Sequence, residues 1–177
     1  MRDVEEYKKK GGKVLFESSE FIIIRDKFPK AKHHYLAIPF KDINKISLAK
    51  PEDVELIQKM RDEAIKFVGS VSEEDTEFKL GFHAIPSLDR LHLHIISQDF
   101  DSECLKHAKH WNSFNTEFFI EVDLAIRELK EKGRMEVNNE KFHSLEMSKQ
   151  MKCNRCQEMF SNITKLKSHL KTHRQIN

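Results

Sequence analysis

Arg90-Leu91-His92-Leu93-His94-Ile95-Ile96 alternates polar and apolar side chains. On an extended chain successive side chains point to opposite faces, so positions 90, 92 and 94 share one face and Leu91, Leu93 and Ile95 turn to a core. Two imidazoles then stand about 6–7 Å apart along one exposed ridge. Outward from this stretch, residues 78–84 form another apolar run, which carries His83 and is separated from the first by Pro86-Ser87-Leu88-Asp89. Upstream, residues 13–17 and 20–24 flank Ser18-Ser19 and read as a strand pair. Asp26-Lys27-Phe28-Pro29 then turns the chain into a third strand over residues 34–39, with His34 at its start. Pro51-Glu52-Asp53 opens a helix with Pro and acids in its first turn, and Val54, Ile57, Met60, Ala64, Ile65 and Val68 give it an apolar stripe. Residues 118–129 predict a second helix, ended by Gly133. This order of elements predicts an α+β fold with an antiparallel-leaning sheet and flanking helices.

The chain has 177 residues, enough for one domain, or one domain and a small satellite. Apolar residues make up 38% and charged residues 34%, so a core is available beneath a highly charged surface. No run approaches the roughly 18 apolar residues of a membrane span, and the N-terminus lacks the apolar stretch of a secretory signal. No membrane partner is therefore expected. Three cysteines, an odd number, argue against a disulfide framework and suit a reducing compartment. The net charge of +2 hides an asymmetry: residues 130–177 hold eleven Lys and Arg against five Asp and Glu, which leaves the rest of the chain at −4. A basic tail on a mildly acidic body suits a polyanion; the plainer reading is a solvated face. Domain spans follow as 1–133 for the larger unit, 134–150 as a polar linker or transition, and 151–177 as a separate unit.

That last unit has metal-ligand spacing. Cys153, Cys156, His169 and His173 follow the pattern C-x2-C-x12-H-x3-H. Two thiolates and two imidazoles suit a tetrahedral structural Zn²⁺, and His residues four apart lie on one helical face. Phe160 and Leu166 occupy the two small-core positions of a ββα finger. About 25 residues cannot bury a sufficient core alone, so the metal would supply the folding energy. On such a finger Asn162, Lys165 and Ser168 face outward, with Lys167 and Lys171 available for phosphates. A single finger covers only about 3 base pairs, which suits sequence-poor grip on a nucleic acid backbone. Packing against the larger domain is the alternative role.

In the larger unit, imidazoles with an ordinary pKa of about 6.5 can be neutral and nucleophilic at physiological pH. Flanked by other histidines, lysines and backbone N–H groups, one could attack phosphorus while its neighbours neutralise the developing charge. A metal at His92 and His94 is the rival reading, but no acid completes a set on that ridge.

Residues 83–98 resemble the histidine triad superfamily of nucleotide hydrolases and transferases. The run from Leu91 to Asn115, with Gln98-Asp99-Phe100-Asp101 and Lys109-His110-Trp111-Asn112-Ser113-Phe114-Asn115, is similar to the aprataxin family within it. So are Asp26-Lys27-Phe28-Pro29-Lys30-Ala31 and the appended finger. The resemblance implies a histidine-triad sheet plus zinc finger that removes AMP from 5′-adenylated DNA ends left by abortive ligation. It implies that His92 attacks the α-phosphorus of the 5′-5′ pyrophosphate, that 5′-phosphate DNA leaves, and that water hydrolyses a transient His92–AMP phosphoramidate. His94, His34 and His83 would contact phosphate, Asp26 the ribose, and Lys30 the pocket rim. Phe40, Lys41, Asp42, Ile43 and Asn44, with Asp101 and Ser102, match DNA-contacting segments. No metal is implied in the catalytic step; AMP is a product, DNA-repair proteins are partners, and the nucleus is the expected compartment.

Two departures from that pattern stand out. Arg90 occupies the position of the first signature histidine. No forkhead-associated domain precedes residue 12, so recruitment by repair proteins through such a domain is not expected. Trp111, Phe40 and Phe100 could stack on an exposed base, with core packing the plainer role. Two other functions stay open: hydrolysis of small adenylated nucleotides such as dinucleoside polyphosphates, and DNA binding without catalysis.

Overall fold

The computed structural model describes residues 4–73 and 75–173. The ends of the two expected units, residues 1–3 and 174–177, lie outside the described residues. A short helix α1 (Val4–Lys9) precedes β1 (Val14–Glu17) and β2 (Phe21–Arg25). Ser18 closes the turn between these strands: its Oγ accepts from the amides of Glu20 and Phe21 at 3.2 and 3.1 Å. After β3 (His34–Pro39) comes α2 (Val54–Val71), entered through a 3₁₀ turn at Pro51–Asp53. Asp53 Oδ2 accepts from Lys50 N at 2.8 Å and satisfies an amide at that helix start. The chain continues through β4 (Phe78–His83), β5 (Leu93–Ser97), α3 (Ala108–Asn115), β6 (Phe119–Glu121), α4 (Val122–Lys132) and α5 (Asn139–Met147). Strands β7 (Met151–Lys152) and β8 (Met159–Phe160) and helix α6 (Ile163–Thr172) form the ββα finger.

The main sheet has the order β1-β2-β3-β5-β4-β6, and each pairing is antiparallel. Register decides which side chains share a face. His34 pairs with Ile96, Leu36 and Gly81 both flank His94, and His83 pairs with Phe119. His34, His83 and His94 therefore project from one face. Tyr35, Ala37, Phe82, Leu93, Ile95 and Ile120 project from the other, into a core with Ile57, Met60 and Ala64 of α2 and Ala125, Ile126 and Leu129 of α4. Gly81 permits the close approach of β6: a Cβ there would lie 2.4 Å from the Ile120 carbonyl oxygen.

Several local expectations change. On α2, Ile65 is exposed, while Leu56 and Phe67 join the buried stripe. The helix expected over 118–129 begins only at Val122, because Phe119–Glu121 pairs with β4 as an edge strand. Phe119 and Ile120 favour strand, and the sheet edge was there to receive them. Helix α4 ends as expected at Gly133, whose φ of 73° is left-handed and whose N–H reaches Leu129 O at 3.1 Å. The stretch 134–150 contains α5, which packs on α3; Asn112 Nδ2 donates to Ser148 O at 2.7 Å.

The finger docks on α3. Met151, Cys153, Leu166 and Leu170 share one buried cluster with Phe100, Leu105, Trp111 and Phe114. Trp111 Nε1 donates to Lys152 O at 3.0 Å. Trp111 and Phe100 are wholly buried in that contact, so neither presents a ring to a base.

Candidate active site

The strand read from the alternation over residues 90–96 begins later than that pattern implied. β5 starts at Leu93, and His92 sits in the segment leading into it. The ridge is not exposed either: His92 and His94 are both buried, with ring centroids 4.7 Å apart. A helix on the second face covers His94. Phe114 of α3 lies edge-on to His94 and His34 at 5.3 Å each and 4.7 Å from His83. The four histidines form the floor of a cleft of about 870 Å³ whose rim includes Asp26, Lys27, Lys30, Lys109 and His110.

Hydrogen bonds assign the tautomers. Lys30 N–H donates to His34 Nδ1 at 3.1 Å, so the His34 proton resides on Nε2. That Nε2 lies 3.0 Å from His94 Nδ1, which accepts, and the His94 proton is therefore on Nε2. His92 Nδ1 lies 2.7 Å from the Arg90 carbonyl oxygen, an acceptor only, so Nδ1 carries the proton and Nε2 keeps a lone pair. Among the described residues, His94 Nε2 and His83 Nε2 are buried without a hydrogen-bond partner. Leaving such atoms unpaired costs free energy, so the site is shaped for a polar guest.

Electrostatics point the same way. Burial pulls the pKa of His34, His92 and His94 below 6.5, with the other histidines or Lys30 adding to it for His34 and His94. For His92 the Arg90 carbonyl and Asp26 oppose the shift. His83 falls to about 3, chiefly through desolvation and then through His92 and Lys30. Burial also lowers Lys30, against the pull of Asp26. At neutral pH the floor holds neutral imidazoles, one offering a lone pair and another an N–H donor, beneath a cationic rim. Such an array can stabilise an anion and attack an electrophile bound to it.

Asp26, His34 and His94 also place ligand atoms within 4.8 Å of one another. The acid missing from the histidine ridge thus comes from the loop after β2. The Lys30 N–H on His34 Nδ1 nevertheless leaves Nε2 protonated, and a protonated nitrogen is no metal ligand. In the finger the donors do suit a metal: Cys153, Cys156, His169 and His173 all converge within 4.8 Å. Cys153 Sγ lies 3.5 Å from His173 Nε2, and Cys156 Sγ 3.1 Å and His173 Nε2 3.0 Å from His169 Nε2, close enough for one Zn²⁺ to reach all four donors.

The remaining expected site residues are spread out. Asp26 lines the cleft and caps its own loop, accepting from Phe28 N at 2.7 Å. Residues 40–44 lie outside the cleft lining. There Ile43 is buried in the core, so its side chain has no access to DNA; Lys41 pairs with the buried Asp53; Asp42 and Asn44 are exposed. Arg90 explains the position of this segment. It donates to the Pro39 and Phe40 carbonyls at 2.8 and 2.7 Å and meets Asp42 at 3.2 Å. Its main-chain oxygen meets His92 Nδ1 in the site. Asp101 is exposed, whereas Ser102 Oγ donates to Pro29 O. On the finger, Lys165 and Lys171 are exposed, but Asn162 caps α6 and Lys167 Nζ donates to Ser102 O at 2.8 Å. Sequence reading assigned no role to Lys109, His110, Ser113 and Phe114 as one cleft wall on α3. Their i, i+4 spacing, His110 to Phe114 and Lys109 to Ser113, was the available signal.

Residues 3–110 match the family model described as scavenger mRNA decapping enzyme C-term binding, and residues 115–175 match the C2HE / C2H2 / C2HC zinc-binding finger. Aprataxin of Gallus gallus is 39% identical over 160 residues, covering 90% of this chain and 50% of that protein. The aprataxin-like protein of Schizosaccharomyces pombe is 32% identical over 180 residues, covering 89% of this chain and 72% of that protein. The crystal structure of the aprataxin ortholog Hnt3 from Schizosaccharomyces pombe superimposes with a TM-score of 0.75 at 26% identity, covering 98% of this chain and 92% of that one. Hnt3 in complex with DNA superimposes at 0.67 and 27% identity, covering 96% and 90%. The chain spans about half the length of the vertebrate relatives it matches. With a histidine-triad-like sheet, a zinc-binding finger docked on it, and such likeness across nine-tenths of its length, the chain belongs to the aprataxin family.

Proposed function

We propose that this protein removes AMP from 5′-adenylated DNA ends. The observation that carries the reading is the tautomer pattern of the floor: a lone pair on His92 Nε2 beside a buried, unpartnered N–H on His94 Nε2. His92 Nε2 attacks the α-phosphorus of the 5′-5′ pyrophosphate, an N–P bond forms, and the P–O bond to the DNA 5′-phosphate breaks. The DNA leaves with its 5′-phosphate. His94 Nε2–H donates to a nonbridging oxygen as charge builds there. Water then attacks the His92–AMP phosphoramidate, its oxygen stays on AMP, and the displaced imidazole regains its lone pair while one proton passes to solvent. Asp26 is placed for a ribose hydroxyl, and the lysines of the rim suit the flanking phosphates. A structural Zn²⁺ held by the finger and a DNA grip through Lys165 and Lys171 complete the reading. It is supported by the likeness to Hnt3 in complex with DNA. No helix of the described residues is long and apolar enough to cross a membrane. Work on DNA ends places the protein in the nucleus, which imaging of a tagged copy tests.

The decisive assay compares AMP release from 5′-adenylated nicked duplex and from diadenosine polyphosphate, with intact-mass analysis of quenched reactions. Faster release from duplex, with an AMP-sized adduct lost in His92→Ala, is expected. Preference for the small nucleotide would transfer the same chemistry to a different substrate class, and full activity of His92→Ala would reject the nucleophile.

A further inference from the structure

The contact between the finger and the larger domain ends on one peptide plane of the active site. Pro29 C=O and Lys30 N–H belong to the same amide. That unit is rigid and planar, and in its trans form the two groups point to opposite sides. On the carbonyl side, Ser102 Oγ donates to Pro29 O. On the amide side, Lys30 N–H donates to His34 Nδ1 at 3.1 Å and so fixes the tautomers of His34 and His94. Ser102 is itself held at both ends. Its Oγ accepts from Cys104 N at 3.1 Å, and its carbonyl receives Lys167 Nζ of the finger at 2.8 Å. Lys167 reaches Leu105 O as well, at 3.4 Å.

We infer that Ser102 is a positioning residue: it grips the Pro29–Lys30 peptide so that the Lys30 amide, through His34, sets which nitrogen of His94 carries the proton, and Lys167 of the finger holds Ser102 in place. The physical reason is leverage. A hydrogen bond on the carbonyl of a planar amide restrains rotation of the N–H on its other side, and it also polarises that N–H into a stronger donor. Without this restraint His34 can carry its proton on Nδ1. His94 Nδ1 then loses its donor, and the N–H that would meet phosphate is no longer guaranteed. The finger thereby acts on the chemical step as well as on DNA binding. Ser102 and Lys167, expected from sequence to touch DNA, are engaged within the protein.

The test uses the full chain, ¹⁵N-labelled at histidine, with long-range ¹H–¹⁵N spectra that report the protonated nitrogen of each ring. The native protein should show His34 and His94 as Nε2–H tautomers. Ser102→Ala should give mixed tautomers at both, with kcat for AMP release down about tenfold and DNA affinity unchanged. Ser102→Thr, which keeps the hydroxyl, should restore both readouts. Lys167→Met should shift the same resonances in the same direction, and it serves if Ser102→Ala does not fold. Native tautomers in both Ala and Met variants, or lost DNA affinity with kcat intact, would overturn the inference. The kinetic arm rests on the deadenylation reading, whereas the spectra do not. Changed tautomers in a protein that releases no AMP would sink that reading and leave the positioning role standing.

Discussion

Replacing His83 by Phe should lessen the protein's loss of stability in acid. His83 ends β4 among the rings of Phe114, Phe118 and Phe119, at 4.7, 5.4 and 6.2 Å, with its Nε2 shut off from solvent. Desolvation, then His92 and Lys30, lower its pKa from 6.5 to about 3. The folded value lies below the unfolded one, so as pH falls the unfolded chain takes up the proton first. Stability tied to the neutral ring is whole above about pH 6.5 and is lost as pH falls toward about 3. One proton's difference is worth about 1.4 kcal/mol per pH unit, so the change from pH 7.5 to 4.5 has a ceiling of about 2.7 kcal/mol through this ring. One edge of His83 remains partly exposed, which brings the expectation to about 1–2 kcal/mol. Phe fills similar ring space and does not titrate. The other buried histidines are present in both proteins, so their contributions largely cancel in the difference. Urea unfolding of both proteins at the two pH values measures it: the stability of the Phe variant relative to native should rise by that amount on acidification. A gap that stays constant would refute the claim that His83 is held neutral by burial.

Three further expectations are simpler. Trp111→Ala removes a wholly buried ring and its bond to Lys152 O, and should cost about 3–5 kcal/mol while speeding hydrogen exchange in β7 and β8. Gly133→Ala places a Cβ at φ 73° and should cost about 1 kcal/mol in thermal unfolding with AMP release unchanged. Arg90→Met should lower stability by about 1–3 kcal/mol by leaving the Pro39 and Phe40 carbonyls unpaired, yet keep His92 in its Nδ1–H tautomer, read by the same ¹⁵N spectra.

Much of this protein was legible before folding. Alternation over residues 90–96 placed Leu93 and Ile95 in the core, and Pro51 and Gly133 marked helix boundaries, because side-chain period and backbone preference are local properties. The ligand spacing of the finger was legible for the same reason: two turns and one helix bring its four donors together. The apparent ridge of exposed imidazoles was not, since burial depends on what covers the second face. That cover is α3, an eight-residue helix half made of His110, Asn112, Ser113 and Asn115, whose intrinsic preference is too weak to announce it. Only the sheet register put His34, His83 and His94 on one face, and only a bond from the Lys30 amide decided which nitrogen of His34, and through it of His94, carries the proton. Residue type supplies an imidazole; the direction of its proton belongs to partners distant in the chain, and those meet only when the strands pair.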